Sequence, residues 1–227
     1  MYYNRPNLVR NALESIRRQT YQNYFLYVID DGSESDCIKT VKELIPSGKF
    51  HYERINDSIS DKQLRGGSMH GYYLNKAIWE TESDIIIPLC DDDGLLLNYL
   101  ENLKIYYGLN KSIMYAYSNV YTFNPYKEKM FDCKTNEIGF GEFHVPITPA
   151  GVLDSSMVTF RREVFIEGGV RYPYPQTKNL DETVFKQCYE LYRHCRPTGL
   201  IGQYKAIYKQ QLGWRENVYD YTDDKKI

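Results

Sequence analysis

Three consecutive carboxylates, Asp91, Asp92 and Asp93, follow the apolar run Ile85-Ile86-Ile87-Pro88-Leu89-Cys90. Adjacent like charges repel, and a hard divalent cation relieves the repulsion. Mg2+ and Mn2+ take oxygen ligands, often one or two carboxylates together with substrate phosphates. Burying an unpaired carboxylate costs several kcal/mol, so the three belong at the end of the apolar run and not inside it. A second acidic pair, Asp30-Asp31, ends the run Tyr24 to Ile29 and precedes Gly32-Ser33. One acidic group can hydrogen-bond a base or a ribose while the other holds a metal on a diphosphate. An isolated triple Asp reads better as a solvated acidic turn; two acidic strand ends in one chain reverse that preference. Gly66-Gly67-Ser68 can bring backbone N–H groups to an anion, although most Gly-Gly pairs are turns. His51, His70 and His194 read as surface or core, and only His144 is a candidate for a metal or phosphate. No Ser/His/Asp or Cys/His arrangement stands out.

The elements that must position these groups alternate. Asn7 to Thr20 reads as a helix, with Pro6 at its permissive first turn and Leu8, Ala12 and Ile16 on one face. Tyr24 to Ile29 is a strand. A helix follows, with Ile38, Val41, Leu44 and Ile45 on its face and Pro46 as its stop. Phe50 to Ile55 is a strand, Asn56 to Arg65 a polar loop, and Gly66 to about Glu80 a helix. Asp84 to Leu89 has no alternation, so both of its faces are expected to be covered, as in a sheet flanked by helices. Leu95 to Tyr107 is helical again. This alternation predicts an α/β fold with a doubly wound, mostly parallel central sheet, and puts both acidic ends on one sheet edge. Such a sheet needs a strand before the first helix, and that strand is expected upstream of residue 1.

The second half is less regular. Ser112 to Asn119, Tyr121 to Phe123, Ser155 to Arg161 and Tyr204 to Lys209 read as strands. Arg162 to Glu167 and Asp181 to His194 read as helices, and Pro125 to Pro149 is turn-rich. Asp181 and Glu182 fall in a first helical turn, where acidic side chains suit the helix dipole without further purpose.

The 227 residues allow one large domain with a proper core. A net charge of −2 argues against a nucleic-acid footprint. No apolar run approaches the ~18 residues of a membrane span, and no signal peptide is visible. Five cysteines without a C-x-x-C fit a reduced cytosolic setting and no structural zinc. The 23 tyrosines are the compositional outlier; their rings can stack on sugars or bases, or simply reflect genome composition.

Several stretches together resemble the inverting family-2 glycosyltransferases of the GT-A fold, and among these the spore-coat polysaccharide type. They are Tyr3-Asn4-Arg5-Pro6 with Ser15-Ile16 and Gln19-Thr20 in the following helix; Val28 to Ser33; Asn75-Lys76-Ala77-Ile78; Asp91-Asp92-Asp93 at the place of the DxD motif; and Asp181-Glu182. The likeness runs from residue 1 to about 195 and is most specific in the first hundred residues. It implies a single GT-A (Rossmann-like) domain over 1–227, with a nucleotide-binding half at 1–110 and an acceptor-binding half at 111–227. Asp31 would accept the uracil or thymine N3–H with Asp30 beside it. Tyr3 and Arg5 would line the nucleotide pocket, and Arg65 or a neighbour would approach the pyrophosphate. Asp92 would be the main metal ligand, Asp93 an alternative one, and Asp91 would face ribose and metal. Asp181 would be the general base. The cofactor would be Mn2+ or Mg2+, the donor a UDP- or dTDP-sugar, and the acceptor a carbohydrate or a lipid-linked molecule. A cytoplasmic location, free or peripheral at the membrane, is expected. Leu89 stands two before Asp91, where many relatives carry the first Asp of DxD, so the chelating pair is open.

Glycosyl transfer needs the diphosphate leaving group neutralised, the acceptor hydroxyl deprotonated and the two substrates held in line. A single inverting displacement needs no protein nucleophile. Three other readings compete. A sugar-nucleotide nucleotidyltransferase would want a Gly-rich basic loop, which Tyr2 to Arg10 lacks. An EF-hand fails because its twelfth position would be Asn102 and not Glu. A non-catalytic nucleotide- or sugar-binding protein on the same fold stays open.

Overall fold

Helix α1, Pro6–Arg17, forms because Pro6 sets the first turn and Leu8, Val9, Ala12, Leu13 and Ile16 recur at helical spacing. All five are buried. The structure, a computed structural model, describes residues 2–34, 37–56, 70–109, 111–124, 129–132, 158–174, 183–184, 186–188, 191 and 195–206. In chain order α1 is followed by β1 (Leu26–Asp30), α2 (Cys37–Leu44), β2 (Phe50–Arg54), α3 (His70–Glu80), β3 (Ile85–Ile86), β4 (Asp93–Leu95) and α4 (Tyr99–Leu109). Then come β5 (Tyr115–Asn124), β6 (Lys129–Asp132), β7 (Val158–Arg161), α5 (Glu163–Ile166) and β8 (Cys195–Ala206).

Two sheets result. β1 and β2 pair in parallel from Leu26↔Phe50 to Asp30↔Arg54. The larger sheet has the order β3-β7-β5-β8-β4, with β6 beside β5. Within it β5 and β8 are parallel, whereas β3–β7, β5–β7, β5–β6 and β4–β8 are antiparallel. The α/β class holds, and among the described residues parallel pairing occurs at β1–β2, β5–β8 and one bridge, Tyr2↔Asp30. In that bridge Tyr2 N–H donates to Ile29 O (3.0 Å) and Asp31 N–H to Tyr2 O (2.9 Å).

Two expectations need correction. The strand foreseen over Asp84 to Leu89 shrinks to Ile85–Ile86, and these residues are half-buried. Pro88 has no N–H to give a ladder and restricts Ile87 before it. The acidic ends also leave different sheets: β1 carries Asp30, while the Asp91 turn follows β3. A cleft of about 1300 Å³ lies between β1 and residues 85–91, with Leu26, Val28, Ile85, Ile87, Leu89 and Asp91 among its lining residues.

Two buried clusters hold the layers. The first joins α1, α2 and α4 through Val9, Leu13, Val41, Leu100 and Leu103. The second gathers Tyr115, Phe160, Phe165 and Tyr172 beneath α3. Among the described residues no helix is long and apolar enough to cross a membrane.

Gly32 follows β1 at φ +77°, and a Cβ there would meet Ile55 O at 3.0 Å. The left-handed backbone alone costs a side chain about 1–2 kcal/mol, and the backbone oxygen cannot swing away. Gly32→Ala is therefore expected to destabilise the protein by about 2 kcal/mol, a fall of about 4–8 °C in Tm for a chain of this size. Calorimetry checks it; an unchanged Tm would mean that the turn relaxes freely.

Candidate active site

The triple Asp is a tight turn. Asp93 N–H donates to Cys90 O at 3.2 Å, closing a four-residue loop over 90–93. All three carboxylates are buried, at 4, 5 and 3 % exposure for Asp91, Asp92 and Asp93. Asp93 then enters β4, whose backbone pairs with β8 at Asp93↔Lys205, Gly94↔Tyr204 and Leu95↔Gln203. A strand from the end of the chain thus fixes the turn's exit.

Helix α1 fixes the same exit from the other side. Ser15 Oγ accepts Leu95 N–H (3.1 Å) and donates to Ala12 O (2.7 Å). The Gln19 amide donates to Leu96 O (2.8 Å) and Ser15 O (3.0 Å), and its carbonyl accepts Leu100 N–H (3.0 Å). Gln19 is 2 % exposed, and replacing it strands buried backbone groups at about 1–3 kcal/mol each. Gln19→Leu is expected to lower unfolding stability by about 3 kcal/mol or more and to loosen divalent-cation binding, read by denaturant titration and calorimetry; full stability would mean that other groups take over its bonds.

The end of β1 is built differently. Asp30 is fully buried. Its Oδ1 accepts Ser33 N–H (2.8 Å), its Oδ2 accepts the Tyr52 hydroxyl (2.6 Å), and its carbonyl accepts Ile55 N–H (2.8 Å). Burial, with the bond to Asp30, pushes the Tyr52 hydroxyl well above the usual tyrosine range, so it stays a neutral donor. Both Asp30 oxygens therefore face protein donors. Asp31 is the more open of the pair, and its Oδ2 lies 3.3 Å from His70 Nε2 at the start of α3. Arg54 donates to Ser33 O (2.5 Å), bracing the turn further.

Residues 2–5 tie the two acidic ends together. Tyr2 pairs with β1; Asn4 N–H donates to the buried Ser33 Oγ (2.9 Å); the Asn4 carbonyl accepts Glu34 N–H (2.7 Å); Arg5 donates to Asp91 Oδ1 (2.5 Å). Three residues reach at most about 11 Å, so Asp31 and Asp91 share one neighbourhood. Asn4 takes φ +50° to make this turn. Tyr3 is half-exposed beside it.

The donor set suits a divalent cation. One ligand atom each from Cys90, Asp92 and Asp93 lies within 4.8 Å of the others, a span one ion can bridge at ligand distances of roughly 2.0–2.6 Å. Asp91 is turned to Arg5 instead. A second group, His51, Glu53 and Glu80, has the same spacing, but Lys76 Nζ sits 2.5 Å from Glu53 and the Tyr27 hydroxyl bonds both Glu53 and Glu80. That cluster already has its cation.

Arg65, Gly66-Gly67, His144, Asp181 and Glu182 lie outside the described residues. Three groups at the site carry little or no signal in the sequence. His70 looked like an ordinary surface or core histidine, and its only signal was its place at a helix start after Gly66-Gly67. Tyr52 had no signal, being 22 residues from Asp30. Ser15 and Gln19 carried the family likeness without an assigned task.

The architecture is that of GT-A glycosyltransferases. The chain is similar to S. aureus TarS 1-349, with a TM-score of 0.67 at 14 % identity over 90 % of this chain and 58 % of that one. The same TarS segment in complex with UDP-GlcNAc matches at TM-score 0.67, 14 % identity, 90 % and 56 % coverage. A mannosyltransferase from Pyrobaculum calidifontis, in complex with GDP-Man and Mn2+, matches at TM-score 0.66 and 17 % identity over 94 % of this chain and 56 % of that one. The chain thus spans less than three fifths of each of these. Residues 1–169 match the family model for glycosyl transferase family 2, and the chain belongs to that family.

Proposed function

We propose that the protein is a metal-dependent, inverting glycosyltransferase that moves a sugar from a nucleoside diphosphate sugar to a hydroxyl of a carbohydrate or lipid-linked acceptor, in polysaccharide or glycoconjugate synthesis. The observation that carries this reading is the buried turn at Asp91–Asp93, held beside the Asp30-Asp31 strand end by residues 2–5, in a chain of this family.

Residues 1–110 form the nucleotide half and 111–227 the acceptor half. Asp31 accepts the N3–H of uracil or thymine, so UDP or dTDP is the donor nucleotide. Asp30 holds the turn that presents Asp31, through Ser33 and Tyr52. Tyr3 and Arg5 line the pocket, and Arg65 or a neighbour would approach the pyrophosphate. Arg5 also keeps Asp91 oriented toward the ribose. Asp92 and Asp93 hold Mn2+ or Mg2+, which when bound supplies Lewis-acid neutralisation of the diphosphate. A cytoplasmic location, free or peripheral at the membrane, is part of this proposal.

Asp181 takes the acceptor proton. The freed oxygen attacks the anomeric carbon, the bond to the diphosphate oxygen breaks, and the nucleoside diphosphate leaves from the opposite face with inversion. General-base assistance is worth about 10²–10⁴-fold. Asp181→Asn is therefore expected to lower kcat for sugar transfer by that factor and leave UDP affinity unchanged. Transfer at the wild-type rate would remove Asp181 from the mechanism. A wild type that binds UDP with Mn2+ but neither transfers nor hydrolyses a UDP- or dTDP-sugar would make the chain a binding protein instead.

A further inference from the structure

Cys90 is the first residue of the tight turn, and Asp92 and Asp93 are its third and fourth. The hydrogen bond from Asp93 N–H to Cys90 O closes that turn and brings its first and last residues together, less than about 7 Å apart at Cα. The result is the grouping of Cys90, Asp92 and Asp93 ligand atoms within 4.8 Å. Asp91, the second residue, is drawn off to Arg5. Cys90 is half-buried and outside any disulfide, whereas Cys37 and Cys188 are buried within the two cores.

We propose that the Cys90 thiolate is a third protein ligand of the divalent cation and sets the site's preference for Mn2+ over Mg2+. The inference rests on the reading of Asp92 and Asp93 as metal ligands. On binding, a sulfur–metal bond forms, the thiol proton passes to solvent, and nothing is oxidised or reduced. Two carboxylates alone do not separate Mg2+ from Mn2+, since both accept hard oxygen donors. Adding a soft sulfur penalises Mg2+, which demands oxygen ligands in octahedral array, and favours the later divalent ions.

The test uses Co2+ as the probe, with the full chain. Wild type titrated with Co2+ is expected to show a thiolate-to-cobalt charge-transfer absorption in the near ultraviolet that Cys90→Ser lacks and Asp92→Ala abolishes. By calorimetry, Cys90→Ser should weaken Mn2+ binding about tenfold or more with Mg2+ binding little changed. Cys90→Ala provides a second variant should the serine disturb the turn, and the wild-type spectrum decides without either. Co2+ that binds in an Asp92-dependent way with no charge-transfer band would overturn the role of Cys90 and leave the carboxylate site standing. A band that survives in Cys90→Ser comes from another cysteine and overturns it equally. Absence of Co2+ and Mn2+ binding altogether would remove the metal site, and Cys90 with it.

Discussion

Asp92→Ala is expected to lower sugar transfer by about 10³-fold or more. The reasoning is electrostatic. Breaking the bond to a diphosphate concentrates negative charge on the leaving group. A cation positioned there contributes several kcal/mol, and each 1.36 kcal/mol is a factor of ten in rate. Asp92 is 5 % exposed on a turn clamped by β8 and α1, so its carboxylate is held in place. The same burial makes a second, opposite expectation. Three adjacent buried carboxylates repel, and removing one charge relieves that repulsion. The metal-free variant should therefore unfold at the same temperature as the wild type or higher. Lost transfer together with retained or raised Tm separates a functional charge from a structural one. Lost transfer with a collapsed Tm would count against the metal role.

Arg5→Met is expected to produce the largest loss of stability. The Arg5 guanidinium lies 2.5 Å from Asp91, and the two side chains are 12 % and 2 % exposed. An exposed ion pair is worth about 1 kcal/mol or less, but removing one member of a buried pair costs about 3–5 kcal/mol because a desolvated charge is left behind. For a chain of this length that is a fall of about 6–20 °C in Tm. Met keeps most of the Arg volume, so the loss reports charge and not packing. The double variant Arg5→Met/Asp91→Asn should recover most of it, since the stranded charge is gone. A loss under about 1 kcal/mol would mean that water screens the pair as at a surface. The variant also frees one end of residues 2–5, which hold the β1 end to the Asp91 turn, so donor affinity should fall with stability.

Much of this was legible because local rules and tertiary packing agree. Helix α1 announced itself through Pro6 and the spacing of Leu8, Ala12 and Ile16, and the acidic end of β1 through an apolar run that stops at Asp30. Where packing decides, the chain was silent. Pro88 ends β3 early, although Ile85 to Leu89 looks like a buried strand. Asp93–Leu95 becomes a strand only because β8 lies alongside it. β8 itself, Cys195–Ala206, holds Arg196, Pro197 and two glycines and so shows no alternation; only its last residues, from Tyr204, read as strand. Asp30 and Asp31 look alike in sequence, yet Tyr52 and Ser33 take both oxygens of one and leave the other more open. Such a difference depends on partners that only folding brings near. Cys90 has no C-x-x-C partner, and a turn that gathers its first and fourth residues leaves no spacing signature in the sequence.

The measurement that meets the central claim most directly is equilibrium binding of UDP, dTDP, GDP and CDP, each with and without Mn2+, to wild type and to Asp92→Ala. Selective binding of UDP or dTDP that requires Mn2+ and disappears in the variant is expected. Binding of no nucleotide, or binding indifferent both to Mn2+ and to Asp92, would contradict it.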